Sequence, residues 1–344
     1  MVHTTPPLKL IFKGRLEFGN QRTFDMMLKS WTVRAETYFK SDILFKPENV
    51  LDESDFSLTV PQQTIMGTDK QWRTTTALLE ELAQFAVVGV IRAWCVDTGI
   101  LLHDLTIEPK SDKVAVLEFR RGRELTEQEG MEDEAAQALS HAIERYERHA
   151  LAYERRGYVN FKLKNFNDAH YDFSKSIDIN PNNPEPFYGR GKVRMLKNDW
   201  DGAAADFEQA VKKSIALQPL YWRSRLHRGE CLYHAKKFKE AAAELKLFLQ
   251  RNFPKHDPNF DRRRRGWFMY GKSLLEISDL TGAIDAFNMA LSIKEGAEWA
   301  PEADNLLQRG ICKHKAGKQE FATDLKAAAE MGSEEAAKLL VELK

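Results

Sequence analysis

The chain has 344 residues, with 51 Lys and Arg against 51 Asp and Glu, so its formal net charge is zero. This length is sufficient for two domains with hydrophobic cores of their own. The balanced charge removes any global attraction to nucleic acid or to an anionic membrane, and we expect neither as a partner.

The cysteines and the apolar segments predict the compartment. Cys95, Cys231 and Cys312 are far apart in the sequence and form no CxxC pair, which is typical of buried thiols in a reducing compartment. The segment Met1–Gly14 lacks the long apolar core of a signal peptide. The apolar run Phe85–Val96 is interrupted and too short to span a bilayer. We therefore expect a cytoplasmic protein.

Residues 1–122 alternate between strand-like and helix-like patterns. Phe24, Met27 and Trp31, for example, form an apolar stripe at helical spacing after the first predicted strand. The order of elements, β-α-β-β-α-β-β-β, predicts a small α+β domain with a largely antiparallel sheet. The predicted strands are Leu8–Phe18, Ile43–Leu51, Phe56–Ile65, Val87–Val96, Ile100–Ile107 and Val114–Phe119, and the predicted helices are Gln21–Phe39 and Asp69–Ala86.

Residues 123–149 are predicted to form a helical connector between this domain and the rest of the chain. Within the connector, Glu132–Arg148 has Leu139, Ile143 and Tyr146 at helical spacing on one face. Because this helix leads directly into the segment that follows, we expect a rigid junction.

A motif of one glycine, eleven intervening residues and one alanine recurs five times after residue 150. The glycines are 34, 38, 42 and 39 residues apart, which indicates one unit with connections of variable length. A constant inner spacing predicts two antiparallel helices joined by a tight turn, with small residues where the helices approach each other. The pairs are Gly157/Ala169, Gly191/Ala203, Gly229/Ala241, Gly271/Ala283 and Gly310/Ala322.

Bulky residues accompany the motif at two further positions, nine residues after the glycine and four after the alanine. We expect them to form the core of each helix pair. The fifth unit departs from the pattern, with Gln319 and Lys326 at these positions. In the first four units the bulky residues are Phe166, Trp200, Phe238 and Leu280 after the glycine, and Phe173, Phe207, Leu245 and Phe287 after the alanine.

The segment Ala150–Asn183, which reads ALAYERRGYVNFKLKNFNDAHYDFSKSIDINPNN, resembles the tetratricopeptide repeat. The resemblance implies an all-α superhelix of about five helical hairpins over residues 150–332. A capping helix with a polar outer face would follow over residues 333–344. The resemblance is carried by Tyr153, Gly157, Phe166, Ala169, Phe173 and Pro181.

The resemblance also implies that the first helix of each hairpin lines a concave groove that binds a protein or peptide. Glu154 and Tyr158 stand where a clamp for chaperone tails would have a basic residue and an asparagine, so we predict no recognition of that kind. The groove positions carried over are Glu154, Tyr158, Lys162, Tyr188, Lys192, Met195, Leu226, Glu230, Tyr233, His234, Arg265, Phe268 and Lys272.

Two short motifs resemble catalytic or nucleotide-binding signatures but have simpler interpretations. Gly266–Ser273 fits the phosphate-loop pattern GxxxxGK[ST], yet no strand-like segment precedes it and Gly271 is already a repeat glycine. Asp97–Gly99 matches the tripeptide of aspartic proteases, which need two such aspartates, and this chain has one copy. A hairpin turn explains the tripeptide.

Two further clusters could bind ligands. His227, Cys231 and His234 recur at helical spacing, but Cys231 is expected to pack inward, so we predict that the three side chains diverge and that no metal is bound. The run Arg262–Arg265 fits either a clamp for phosphate or an acidic peptide, or a solvated charged segment. Both interpretations stay open.

The sequence therefore favours a non-catalytic scaffold that binds a protein or peptide partner. Its N-terminal domain would supply a second interaction surface, possible homodimerisation included. In the alternative, that domain is a ligand sensor or an enzyme and the repeats recruit its target. Residues 8–122 show no convincing nucleophile, metal set or paired carboxylates, so we predict no catalytic residue and no cofactor.

Overall fold

The computed structural model describes residues 7–39 and 42–343 of the chain. The first six residues of the predicted N-terminal domain, residues 40–41, and the last residue of the predicted capping helix lie outside this part. The chain divides into two compact units, Met1–Pro186 and Phe187–Lys344.

The first unit begins with an antiparallel sheet whose strand order is β2-β3-β1-β4-β5. This arrangement confirms the predicted α+β domain with an antiparallel sheet. The strands are β1 (Leu8–Glu17), β2 (Leu51–Asp52), β3 (Ser57–Gly67), β4 (Val88–Asp97) and β5 (Ile100–Ile107). The accompanying helices are α1 (Gln21–Arg34), which continues as a π-helical turn over Ala35–Phe39, α2 (Pro47–Val50) and α3 (Asp69–Ala83).

The core of the sheet domain lies between one sheet face and helices α1 and α3. Leu10, Phe12 and Leu16 alternate along β1 and are fully buried. They pack in one cluster with the α1 stripe that includes Phe24 and Trp31. The alternation of the strand and the helical spacing of α1 therefore meet in the same core.

Two glycines allow β1 and β4 to approach closely. Gly14 has φ +148° and Gly89 has φ +117°, values that L side chains rarely adopt. A Cβ atom at Gly14 would be 2.1 Å from the carbonyl oxygen of Val90, and one at Gly89 would be 2.1 Å from that of Arg15. No other residue fits at either position without displacing the partner strand.

Two predicted strands are corrected by the structure. Ile43–Leu51 contains helix α2, and its only strand residue is Leu51, in β2. Pro47 starts α2, where its missing N–H is not needed. Val114–Phe119 is helical, because the buried residues there recur at helical spacing and pack against the next helix.

Helix α4 (Val114–Thr126) pairs with α5 (Glu132–Arg145), and α5 lies within residues 123–149, the predicted connector. Gly122 lies against Leu139, and an added Cβ would be 2.6 Å from its Cγ. After α5, the hydroxyl of Tyr146 donates a hydrogen bond of 2.7 Å to Oε2 of Glu17 at the end of β1. Glu17 is buried, so this bond fixes the connector to the sheet domain.

The remaining helices form successive hairpins, which confirms the predicted all-α repeat segment. Helices α6 and α7 complete the first unit, the boundary between the units falls within α8, and the later helices belong to the second unit. The helices are α6 (Ala150–Lys162), α7 (Phe166–Ile179), α8 (Pro184–Leu196), α9 (Trp200–Lys213), α10 (Pro219–His234), α11 (Phe238–Leu249), α12 (Arg263–Glu276), α13 (Leu280–Ser292), α14 (Glu302–Lys315), α15 (Phe321–Glu330) and α16 (Glu334–Glu342).

The repeat glycines make room for a bulky side chain of the second helix, sixteen residues further along the chain. This side chain is the one predicted four residues after the alanine. A Cβ added at the glycine would therefore meet it at 3.0 Å or less in the first four hairpins. The contacts are Gly157 with Phe173, Gly191 with Phe207, Gly229 with Leu245, and Gly271 with Phe287.

The fifth pair, Gly310/Ala322, is corrected by the structure. Ala322 is exposed, whereas the corresponding alanines of the other hairpins are fully buried. Gly310 instead faces Leu325, fifteen residues later, with 2.8 Å between an added Cβ and Cδ2. The fifth hairpin is one residue shorter, which also explains why Lys326 occupied the expected position of the bulky residue.

Candidate partner-binding surface

An ion pair recurs beside the packing glycine and sets how the first helix of a hairpin faces the second. The arginine before the glycine pairs with the acidic residue before the bulky side chain, and the acidic residue is buried each time. The fourth hairpin has Tyr270 in place of the arginine. The pairs and their N–O distances are Arg156–Asp172 (2.7 Å), Arg190–Asp206 (2.8 Å), Arg228–Glu244 (2.9 Å) and Arg309–Asp324 (2.6 Å).

Our sequence analysis missed this pairing, although it leaves a visible signal. An Arg-Gly dipeptide is followed, fifteen residues after the glycine in three hairpins, by an acidic residue and then Phe or Leu. Because both partners point between the helices, the remaining side chains of the first helix are directed to its free face. We call this free face, formed by α8, α10 and α12 in the second unit, the first-helix face.

The predicted groove residues of the first unit are only partly on the surface. Glu154 is buried and accepts a hydrogen bond from Nδ2 of Asn183. Burial raises the pKa of Glu154, Arg155 opposes this, and Glu185 raises it further. Tyr158 donates a hydrogen bond of 3.2 Å to the carbonyl oxygen of Glu185. Glu154 therefore supports this surface rather than forming it.

Lys162, the third predicted residue of the first unit, is exposed at the end of α6. Its Nζ donates a hydrogen bond of 3.0 Å to the carbonyl oxygen of Thr126, at the end of α4. The side chain thus joins the first repeat to the connector and remains accessible to solvent.

In the second unit, three predicted groove residues are buried. Leu226 is fully buried and packs with Phe248 and Phe253, so its position in the predicted groove is corrected to the core between α10 and α11. Tyr188 is 5% exposed and Glu230 is 2% exposed. Tyr188 and Glu230 therefore lie beneath the first-helix face and support the side chains on its surface.

Aromatic and cationic side chains cover the exposed part of the first-helix face. Nζ of Lys272 lies 4.7 Å from the ring centre of Tyr233 and 5.6 Å from that of Phe268, within cation–π range. Burial lowers the pKa of Lys272. His234 is exposed and stacks on Trp200 with 4.4 Å between ring centres.

Met195 and Lys192 complete the predicted set on α8, and both are half-buried. They are three residues apart and thus lie on the same side of the helix. The face therefore offers one flexible apolar side chain and one cation beside the aromatic group of α10 and α12.

Glu230 forms the centre of a buried polar network. Nη2 of Arg265 donates to Oε2 of Glu230 at 2.9 Å, and Nδ1 of His227 lies 3.1 Å from the same oxygen. Burial by itself would raise the pKa of Glu230, but His227 and Arg265 together lower it. The carboxylate is therefore charged and already satisfied by the protein.

The four consecutive arginines have different environments, because successive helical residues point in different directions. Arg263 lies 3.7 Å above the ring centre of Phe260. Arg264 is buried and donates to the carbonyl oxygens of Ala300 at 2.8 Å and Ile293 at 2.9 Å. These two arginines therefore hold the loop around α12 in place.

Arg262 and Arg265 belong to the first-helix face. Both guanidinium groups lie over the ring of Trp299, at 5.4 Å and 5.8 Å from its centre. Trp299 is 45% exposed. This end of the face thus combines an accessible aromatic ring with two cations, one of which is neutralised by Glu230.

The other three sequence motifs lie in regular helices or in a hairpin turn. Gly266–Ser273 lies within helix α12, where no loop surrounds a phosphate site. Asp97–Gly99 forms the β4–β5 turn, with positive φ at Thr98 (45°) and Gly99 (88°). His227 faces Glu230, Cys231 is buried and His234 faces Trp200, so the three side chains diverge.

Comparison with known proteins shows a sequence match over part of the chain. Residues 132–184 and 188–257 match the sequence model of the tetratricopeptide repeat family. The match includes α5, so the repeat signal starts before the segment that we recognised. The predicted resemblance of the helical part to the tetratricopeptide repeat is therefore confirmed over these residues.

Two solved structures share this fold. YrrB, a tetratricopeptide repeat protein with an unusual peptide-binding site, is 18% identical with a TM-score of 0.50, over 60% of this chain and 99% of its own. PilF of Pseudomonas aeruginosa is 15% identical with a TM-score of 0.51, over 67% of this chain and 98% of its own. At these identities the likeness concerns the fold alone.

No helix in the described part of the chain has the length and apolar character needed to cross a membrane. Within the same residues, no group of three His, Cys, Asp or Glu side chains could hold a metal ion.

Proposed function

We propose that this protein is a non-catalytic adaptor that binds a protein or peptide partner on the first-helix face. The observation that carries the proposal is the half-buried cluster of Tyr233, Phe268 and Lys272 on two successive first helices. Aromatic anchors beside charged groups are the side chains that contribute most to binding at protein interfaces. Tetratricopeptide repeat proteins typically act through such contacts, and YrrB has a peptide-binding site.

The residues proposed to contact the partner are those of the predicted groove that the structure leaves accessible. Tyr158 and Lys162 belong to the first unit. In the second unit the buried Tyr188, Leu226 and Glu230 support this surface from below. The proposed contacts there are Lys192, Met195, Tyr233, His234, Arg265, Phe268 and Lys272.

Selection of peptides on the intact protein tests this function. Peptides enriched from a random twelve-residue library would be measured by fluorescence anisotropy against the wild type and against His234→Ala combined with Phe268→Ala. We expect the double variant to bind about tenfold or more weakly, because anchors of this kind cost 1.4 kcal/mol or more when truncated.

A matched control distinguishes the first-helix face from the opposite one. Leu247 and Met289 are each 45% exposed and lie on second helices, α11 and α13. Leu247→Ala combined with Met289→Ala removes similar apolar surface and should leave the affinity unchanged. Enriched peptides that lose affinity only with this control variant would contradict the proposed surface, as would failure to enrich any peptide.

We also propose that the sheet domain mediates homodimerisation through β5, and that the protein works in the cytoplasm. β5 is an edge strand, and Ile100, Leu101 and Leu102 on it are 65%, 43% and 45% exposed. An exposed apolar edge favours pairing with a second chain. The three buried free thiols support a reducing compartment.

Light scattering coupled to size-exclusion chromatography tests the dimer. We expect a dimer for the wild type and a monomer for Leu102→Lys, because a charge on the edge prevents pairing. Val33→Lys serves as the control, since Val33 is 57% exposed on helix α1 and lies on no strand. If the wild type is monomeric at a protein concentration of roughly 0.1 mM, a dimer with a Kd below that value is excluded.

A further inference from the structure

Three cations of the second unit lie near one another. Lys192 lies on α8, Arg223 on α10, and Arg262 directly before α12. In the described part of the chain, neither Arg223 nor Arg262 forms a salt bridge. Nε of Arg223 is buried and has no hydrogen-bond partner among the described residues. A polar atom in that state costs free energy unless a ligand or water satisfies it.

The geometry places these cations on the first-helix face. Arg223, His227 and Glu230 are spaced by four and three residues and therefore follow one side of α10. The guanidinium of Arg223 lies 5.9 Å from the ring centre of Tyr188, which is one turn from Lys192 on α8. The ring of Tyr188 in turn lies 5.7 Å from that of His227.

The same side of α10 contacts α12 through Glu230. Glu230 accepts the hydrogen bonds of Arg265, and Arg265 shares the ring of Trp299 with Arg262. The row from α8 to α12 thus contains four cations and one buried carboxylate, which already serves Arg265 and His227.

The three cations repel one another. Burial lowers the pKa of Lys192, and Arg262 and Arg223 lower it further. Burial also lowers the pKa of Arg262, Tyr188 and Glu230 oppose this, and Arg223 and Arg265 lower it further. Such an arrangement costs stability in the free protein and is typical of a site preorganised for an anion.

We propose that Lys192, Arg223 and Arg262 form an anion-binding row that holds acidic side chains of the peptide partner. This inference rests on the proposed function and names the chemistry of its ligand. The row spans three first helices with axes about 8–10 Å apart. An extended segment advances about 3.3 Å per residue, so acidic side chains roughly three residues apart match this spacing. A single terminal carboxylate would fill only part of the row.

The test uses defined probes on the full chain. Three fluorescein-labelled decapeptides would be compared by anisotropy at 50 mM and 500 mM NaCl. The first repeats Glu-Gly-Gly, ends with Glu and has an amidated C-terminus. The second has phosphoserine in place of Glu. The third repeats Gln-Gly-Gly, ends with Gln and has a free C-terminal carboxylate. We expect the Glu or the phosphoserine peptide to bind. The ratio of the two affinities shows whether the row prefers a carboxylate or a phosphate group.

The decisive variant is Arg223→Gln combined with Arg262→Gln. It should bind the acidic probe about tenfold or more weakly, since two charge-assisted contacts are lost. Lys239→Gln combined with Lys246→Gln changes the net charge equally, and both lysines are exposed on α11, so this control should retain wild-type affinity. Lys192→Gln provides a second, single-site variant of the row.

The outcomes separate this inference from the proposed function. Equal loss of affinity in the control variant, or none in Arg223→Gln/Arg262→Gln, overturns the anion-binding row. A preference for the third probe also overturns it in favour of terminal carboxylate recognition. If library peptides bind the first-helix face but carry no acidic residues and tolerate the double variant, the row fails and the proposed function stands.

Discussion

Gly191 lies directly against the ring of Phe207, so that a methyl group added at Gly191 would be 3.0 Å from two ring carbons. Phe207 is fully buried and cannot move without disturbing the neighbouring helices. The same relation recurs in the neighbouring hairpins, and it defines the separation of the two helices in each repeat. The surface offered to a partner depends on this packing.

Gly191→Ala should destabilise the second unit by about 1–3 kcal/mol, the usual cost of overpacking a filled core. The gain in helix propensity from alanine, about 1 kcal/mol, offsets part of this cost. Urea unfolding monitored by circular dichroism measures the difference. Leu196→Ala, at a 56% exposed position on the same helix, is the control and should change stability by less than about 0.5 kcal/mol. Unchanged stability of Gly191→Ala would contradict the packing.

Asp206→Ala should cost about 3–5 kcal/mol, because it removes the buried carboxylate that accepts hydrogen bonds from Arg190 and Arg194. Asp206 is 3% exposed and accepts from both Nε and Nη2 of Arg190, at 3.0 Å and 2.8 Å. For comparison, Lys212→Ala removes an exposed pair with Glu208 and should cost less than about 1 kcal/mol. Equal effects of the two variants in chemical unfolding would show that the recurrent pair is not structural.

His149→Asn should make stability less dependent on pH. Burial lowers the pKa of His149 to about 3 from an unfolded value of 6.5. The unfolded chain therefore takes up a proton below pH 6.5 while the folded chain does not, and stability falls as the pH decreases towards 3. The slope is about 1.4 kcal/mol per pH unit. Asparagine keeps an acceptor for the N–H of Ala152, which Nδ1 now bonds at 3.2 Å.

Unfolding in urea at several pH values between 6 and 4 measures this slope. We expect the His149→Asn slope to be shallower than that of the wild type by about 1 kcal/mol per pH unit. His141→Asn, on the exposed side of α5, should keep the wild-type slope. Identical slopes for all three proteins would show that His149 is protonated in the folded state.

Glu154→Gln should stabilise the first unit at alkaline pH. Because burial raises the pKa of Glu154 above its unfolded value of 4.5, stability is lost as the pH rises from 4.5 through the folded-state pKa. At pH 8 the variant should gain about 1–3 kcal/mol, and at pH 4 it should match the wild type. Calorimetry at both pH values provides the measurement, with the exposed Glu144→Gln as control. A variant destabilised at pH 8 would mean that the charged carboxylate stabilises the fold.

Periodic spacing made the helical half predictable. The interval between Gly157 and Ala169 recurs because the same helix pair recurs, and the corresponding hairpins are found in the structure. The segment before the connector was harder to assign. Val114–Phe119 was predicted as a strand, yet it is helical, with Ala115, Val116 and Phe119 buried. A short apolar run fits either a strand or a buried helix from its sequence alone.

The surface was less predictable than the fold. Leu226 stands at a groove position by repeat numbering, yet it is fully buried and packs with Phe248 and Phe253. Likewise, the sequence gives no indication that Arg264 is buried while Arg262 meets Arg223 and Lys192. Which residues of a helix are buried is decided by the neighbouring helices, so consecutive arginines of one turn differ in their surroundings.

Photo-cross-linking to a selected peptide is the most direct test of the adaptor function. p-Benzoylphenylalanine would replace His234, which is exposed on the first-helix face, and in a separate protein Leu247, which is exposed on α11. Our account predicts a cross-linked product from position 234 and none from position 247, with unlabelled peptide abolishing the product. Cross-linking from position 247 alone would contradict it.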